Sequence, residues 1–142
     1  MKYKLILLLT LGLGCLVRAG ENHDHDHGHS HAEIQVPATL PEVRAGIAEQ
    51  QKKLTETLGA KDATSAHATT DVLAAYVRAI PGMVTGLDET ARQRIEGMAN
   101  NAAKAWGQTA HDADHGDYEK AGREAAKAAA AYQLLEARLP KD

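Results

Sequence analysis

Phenylalanine is absent from this chain of 142 residues, and cysteine occurs once, at Cys15. If the segment that holds Cys15 is removed, then disulfides, Cys-based zinc sites and thiol catalysis are excluded. Covalent haem attachment needs a Cys-x-x-Cys-His segment. Non-covalent ligation by Met83 or Met98 with a histidine is the alternative, but Met98 is more simply a core residue, so we expect no haem. No constellation typical of serine, cysteine or paired-carboxylate catalysis is present. The sequence therefore predicts that the protein is not an enzyme.

Acidic residues are absent from residues 1–19, which predict a signal peptide. Two lysines give a positive start, and the apolar run over residues 5–13 is too short for a stable membrane anchor. Small residues around Ala19 offer a cleavage site. The alternative is a lipoprotein signal that attaches a lipid to Cys15 and anchors the protein to a membrane. We favour export without a lipid, because the small-residue cleavage rule fits better. The expected location is the periplasm or another exported compartment.

Loss of this leader changes the charge of the chain. Residues 1–19 contain three of the 16 basic residues and none of the 19 acidic residues, so the remaining chain has a net charge of −6 with histidine neutral. A mildly acidic surface argues against nucleic acid as a partner. It suits cations, and it gives no attraction to anionic membranes.

Residues 20–38 show no apolar periodicity and contain several glycine, serine and proline breaks, so they predict a disordered arm. Five of the eight histidines in the chain alternate with other residues here. They are His23, His25, His27, His29 and His31. In an extended chain, alternate side chains fall on one side, and imidazole is a common ligand of transition metals.

The alternating tract predicts binding of a divalent transition metal, with Cu²⁺ strongest and Ni²⁺ and Zn²⁺ behind it. Binding should fail as the imidazoles protonate, at a pH around or below ~6.5. Two other interpretations remain open. In one, the tract is a solvated polar linker without a function, and in the other it is a purification tag.

Residues 39–142 predict an all-α domain of four helices. The first follows a capping box formed by Thr39 and Glu42 and ends at Gly59. The second spans residues 63–80 and ends at Pro81. The third runs from about residue 88 to residue 115, with Trp106 at the edge of its apolar face.

The fourth helix has the most regular apolar pattern, a seam with spacings of three and four residues. Its members are Tyr118, Ala121, Ala125, Ala128, Tyr132, Leu135 and Leu139. The two halves of the domain are alike, because Asp62 and Asp117 each open a helix after a short turn. We therefore predict an up-down-up-down four-helix bundle built from two αα-hairpins. The alanine-rich seam could equally serve a homodimer.

Three further histidines are candidate metal ligands. His111 and His115 are separated by four residues on the third helix, a spacing that places both imidazoles on one exposed face. His67 belongs to the start of the second helix, with Asp71 one turn on. In the predicted topology the first and third turns share one end of the bundle, so the three histidines could converge, with Asp71 or Asp114 adding an oxygen ligand. The alternative is that these are ordinary solvated or capping residues near helix ends.

The helical part of the chain, residues 39–142 and hereafter the body, resembles a group of small exported helical proteins. These proteins accompany heavy-metal resistance and efflux systems in Gram-negative bacteria. The residues that carry the resemblance lie at turns and helix ends over residues 50–140. They are Lys61-Asp62, Ala66-His67, Ala79-Ile80-Pro81, Asn101, His111, His115-Gly116-Asp117 and Leu139-Pro140. The resemblance implies a periplasmic four-helix bundle that takes part in metal handling. It implies no catalytic residue.

Together these features predict an exported protein that buffers or delivers Cu, Ni or Zn through its His-rich arm. The resemblance to proteins of efflux systems adds a metal-efflux component as an expected partner. The alternative is a helical interaction or chaperone-like module, in which the histidine tract is incidental. Deleting residues 21–33 separates the two functions, because only the metal function depends on the tract.

Overall fold

The computed structural model describes residues 33–140, which form four α-helices and no β-strand. The helices are α1 (Leu40–Gly59), α2 (Ala63–Met83), α3 (Glu89–Asp114) and α4 (Tyr118–Glu136). This confirms the predicted all-α class and the number of helices. Each helix packs against the next one in the chain, whereas α1 and α4 touch only sparsely. None of the helices among these residues is long and apolar enough to span a membrane.

Each helix begins at a residue whose side chain accepts a hydrogen bond from the first turn. Thr39 and Glu42 form the predicted capping box, since each side chain receives the backbone N–H of the other residue. Asp62, Asp88 and Asp117 cap the remaining three helices. Such caps satisfy N–H groups that have no partner within a helix. The helix starts are therefore fixed by local sequence.

The α1–α2 and α3–α4 turns have the same hydrogen-bond pattern. In each, the capping aspartate, Asp62 or Asp117, donates its backbone N–H at 3.0 Å to the carbonyl five residues earlier. The preceding residue adopts a positive φ in both turns, 57° at Lys61 and 78° at Gly116. A residue with left-handed backbone angles after a helix turns the chain, so that the N–H groups that follow can bond the last carbonyl groups of that helix. The likeness between the two halves of the sequence therefore extends to their turn geometry.

The core contains the apolar stripes that the spacing predicts for α2 and α4. The α2 stripe is entirely buried and consists of Ala66, Thr70, Leu73, Val77 and Ile80. Most of the α4 seam is buried too. Two predictions were wrong in detail. First, α2 does not end before Pro81 but continues to Met83. Proline removes one hydrogen bond to the preceding turn, but this loss falls in the last turn of α2, and the Pro81 ring is buried.

Second, Trp106 does not lie at the edge of the core. Its side chain is 0% exposed, and its ring centroid lies 6.2 Å from that of Tyr132 on α4. The small residues of α4 let this largest side chain fill the interior between helices. The spacing predicts an α3 face of Ile95, Met98, Ala102, Ala105 and Thr109. The buried face is rotated from this one, because Met98 and Ala105 are only partly buried, whereas Ala99, Ala103 and Ala110 are buried.

A close helix crossing joins α1 to α2 at Gly46. A Cβ atom added to Gly46 would lie 2.6 Å from Cε2 of Tyr76. Interaxial distances depend on the side chains at the contact. The absence of a side chain at Gly46 therefore sets how closely the half-buried ring of Tyr76 approaches α1.

Candidate metal-binding end of the bundle

The α1–α2 and α3–α4 turns meet at one end of the bundle, as the predicted topology requires. The hydroxyl of Tyr118, the first residue of α4, donates a hydrogen bond of 2.8 Å to the Lys61 carbonyl. His67 near the start of α2 contacts Asp114, the last residue of α3, with 2.8 Å between Nδ1 and Oδ2. Residues that are about 50 positions apart in the sequence therefore meet at this end of the bundle. Helices α2, α3 and α4 each contribute a residue to it.

The His67 imidazole lies between two carboxylates. Its Nδ1 is hydrogen-bonded to Asp114, and its Nε2 lies 3.7 Å from Oδ2 of Asp71. The side chain is about one-third exposed, at 35%. A carboxylate on one ring nitrogen orients an imidazole and selects the tautomer in which that nitrogen carries the proton. The ring therefore has a carboxylate near each of its two nitrogen atoms.

His111 and His115 contact each other on the exposed face of α3. Their ring centroids are 4.5 Å apart in an edge-to-face arrangement. Histidines four residues apart on a helix can share one ion through two nitrogen ligands, with water completing the coordination. A positive charge here would also interact favourably with the C-terminal end of the helix dipole. The predicted exposure and common face of this pair are confirmed.

A buried carboxylate supports this end from below. Asp112 is 3% exposed, and its Oδ1 accepts hydrogen bonds from Lys120 at 2.9 Å and from Gln108 at 3.1 Å. The hydrogen bond from Lys120 holds the pKa of Asp112 below its usual range. The same contact raises the pKa of Lys120. Asp112 is therefore an ionised structural group that ties α3 to α4.

Sequence reasoning missed this role of Asp112. The signal was available, because Asp112 falls three residues after the buried Thr109 and four after its partner Gln108. Side chains three and four residues apart share a helix face. The contact with Lys120 required knowledge of how α4 returns along α3.

The histidines of the described residues form two small groups. His67 lies with Asp71 and Asp114, and His111 lies with His115. Within residues 33–140, no three histidine, cysteine, aspartate or glutamate side chains are placed to hold one metal ion. Among the described residues, His67 and the His111–His115 pair are therefore two separate groups and are not arranged around one position.

The other predicted ligands lie outside the described residues. They are His23, His25, His27, His29 and His31. The predicted signal peptide and its Cys15 also lie outside that range. No protein family, curated protein or solved structure matches the chain.

Proposed function

We propose that this is an exported, non-enzymatic protein that binds Cu²⁺, Ni²⁺ or Zn²⁺ and buffers or delivers the ion. The observation that carries the proposal is the run of five alternating histidines from His23 to His31, which follows the predicted signal peptide. Five imidazoles in nine residues provide several ways to surround one borderline cation. The net charge of −6 expected without the leader favours cations over anionic partners.

We propose His111 and His115 as a second, weaker site on the folded body. Their contact on one rigid helix reduces the entropy lost when both bind the same ion. Nitrogen ligands lie about 2.0–2.1 Å from zinc, so two adjacent imidazoles can reach one ion after a change of side-chain rotamer. His67 is less suited to this role because, among the described residues, it is grouped with Asp71 and Asp114 and not with a second histidine.

A periplasmic location and cooperation with a metal-efflux component belong to the same proposal, since an exported buffer needs a source or an acceptor for its ion. The second candidate function is a helical interaction module. The observation in its favour is Leu134, a large apolar side chain that is 64% exposed on α4. A contiguous exposed apolar surface can mark a protein contact, and Leu134 would be one residue of such a surface. A homodimer through this face would be one form of such a contact.

Calorimetric titration of Cu²⁺, Ni²⁺ and Zn²⁺ tests the metal proposal. The proteins compared are the intact chain and a variant that lacks residues 21–33. We expect the strongest binding to disappear with the tract, and we expect a weaker site to remain. Binding by the intact chain should decline as the pH falls below about 6.5.

The remaining site is then assigned with three substitutions in the shortened protein. We expect His111→Ala and His115→Ala to remove it equally, because chelation needs both rings. Lys104→Ala, an exposed change on the same helix, should leave it intact. If neither the intact nor the shortened protein binds any of the ions more tightly than roughly 10 μM, far weaker than structural zinc sites, the metal function is refuted. Retained binding of unfolded clients would then favour the interaction module.

A further inference from the structure

The His111–His115 pair, proposed above as a metal site, offers two ligands to an ion. Both side chains are exposed on α3, and their ring centroids are 4.5 Å apart. Among residues 33–140, no third histidine, cysteine, aspartate or glutamate is placed to share an ion with them. Structural zinc sites are almost always tetrahedral, with four protein ligands. The described part of one chain therefore supplies half of the ligands that such a site uses.

The outward face of α3 beside this pair is nearly uncharged. From residue 100 to residue 110, the exposed positions carry only one charged side chain, that of Lys104. The others are Asn100, Asn101, Gly107 and Gln108. The chain has a formal net charge of −3, so two copies repel each other at long range. This face is one on which two copies can approach with little local repulsion.

Gly107 leaves open space on the same face, one helical turn before His111. A Cβ atom added to Gly107 would meet no atom within 4 Å, so packing within this chain does not require glycine there. Glycine in the middle of a helix costs about 0.5–1 kcal/mol relative to alanine. The distance at which two helices pack depends on the side chains at their contact. A second helix that crosses α3 beside the histidine pair would account for this glycine.

We propose that a second copy of this chain completes the site, so that one Zn²⁺ ion joins two chains through His111 and His115 of each. The inference rests on the proposed function, because it uses the metal pair assigned there. A two-fold axis through the ion would bring the same patch of both copies together. Opposite edges of a tetrahedron are perpendicular, and each histidine pair lies along its own helix. The two α3 helices would therefore cross at a steep angle, with Gly107 next to the crossing.

A steep crossing makes the contact small. It is confined to about one helical turn on either side of the ion, and it buries far less than the ~1,000 Å² that a stable interface needs. Association should therefore depend on the ion, so the protein is a monomer without zinc and a dimer with it. Retention of the ion would then increase with protein concentration. This would let the amount of protein set how tightly the body holds zinc.

Sedimentation velocity during a titration with Zn²⁺ tests the bridge. The protein is the full chain with all five histidines of residues 23–31 changed to alanine, so that zinc on the tract plays no part. We expect a monomer in the presence of a chelator, and a dimer that is complete at one zinc ion for each pair of chains. His111→Ala and His115→Ala should each abolish the dimer. Circular dichroism of every variant verifies that the helices remain folded.

Two glycine substitutions locate the contact. Gly107→Gln places a long side chain beside the crossing and should weaken dimer formation by about tenfold or more, the effect of one overpacked position. Gly122→Gln is the matched control, because Gly122 is an exposed glycine of α4 at which a Cβ would also meet no atom within 4 Å. It should dimerise as the unaltered α3 face does. Equal effects of the two substitutions would overturn the contact through α3.

Calorimetry on the same protein separates the bridge from the proposed function. One zinc ion per chain on a monomer, lost in His111→Ala, would overturn the bridge and leave the second metal site of the proposed function in place. Absence of zinc binding would overturn both the pair and the bridge, whereas binding by the tract is measured separately in the intact chain. A dimer that forms in the chelator, or that persists in His111→Ala, would also overturn the bridge.

Discussion

Replacement of Gly46 by alanine probes the closest helix contact in the body. The added Cβ would lie 2.6 Å from Cε2 of the Tyr76 ring, where ordinary contacts begin near 3.4 Å. The ring or the helix must therefore move by about 0.8 Å. Tyr76 is half-buried and packed against the core, so this movement disturbs neighbouring side chains. Helix propensity alone would favour alanine.

The two effects have opposite signs and known sizes. Overpacking of a packed site costs about 1–3 kcal/mol, whereas exchange of glycine for alanine within a helix stabilises by about 0.5–1 kcal/mol. We expect Gly46→Ala to lower the free energy of unfolding by roughly 0.5–2 kcal/mol. For a domain of roughly 100 residues, this corresponds to a decrease of several degrees in Tm.

The assay is urea unfolding followed by circular dichroism, with Gly97→Ala as the matched control. Gly97 is an exposed residue within α3, and a Cβ there would meet no atom within 4 Å. This control should be stabilised by about 0.5–1 kcal/mol. Combining Gly46→Ala with Tyr76→Leu should convert the loss into a gain relative to Tyr76→Leu alone, since the clashing ring is removed. If Gly46→Ala stabilises the unaltered protein as much as Gly97→Ala does, the close α1–α2 contact does not exist.

Two further predictions concern the end of the bundle that carries the histidines. Gly116→Ala should lower the free energy of unfolding by about 1–2 kcal/mol, because alanine is strained at positive φ. Lys61→Gly should leave the free energy of unfolding unchanged or raise it by up to about 1 kcal/mol. Chemical denaturation measures both changes, and equal effects of the two variants would contradict the shared turn geometry. Asp112→Asn should destabilise the protein at neutral pH by removing the carboxylate that Lys120 contacts. The depressed pKa of Asp112 means that its contribution is present above its usual pKa of about 3.9 and disappears as the pH falls through the lower folded value. The difference between variant and unaltered protein should therefore shrink in acid, and a difference independent of pH would argue against an ionised Asp112.

Features that depend on neighbouring residues could be predicted from the sequence. The caps at Thr39, Asp62 and Asp117 follow from side chains that bond the first turn of their own helix. The α4 seam follows from its spacings of three and four residues, which match the period of a helix and not that of a strand. The pairing of His111 with His115 is of the same kind, because it needs only the pitch of one helix.

Features that depend on packing between helices could not be predicted in this way. Trp106 is buried because α4 offers small residues opposite to it, which its own helix does not reveal. Pro81 costs α2 one hydrogen bond, but it remains within the helix because its ring is buried there. The contact between His67 and Asp114 depends on how α2 lies against α3. Topology placed the two turns at one end but did not specify which ligands would meet.

At the other end of the bundle, the start of the first hairpin lies beside the end of the second. The Arg44 guanidinium, near the start of α1, contacts both Glu136 and the Pro140 carbonyl, so the first and last helices begin and finish side by side. A short linker could therefore join these points while the chain is opened in the α2–α3 connection. The resulting circular permutant would run in the order α3, α4, α1, α2 and retain every helix contact. In this architecture the order of the hairpins along the chain is interchangeable, while the contact between the α1–α2 and α3–α4 turns, near His67, His111 and His115, is preserved.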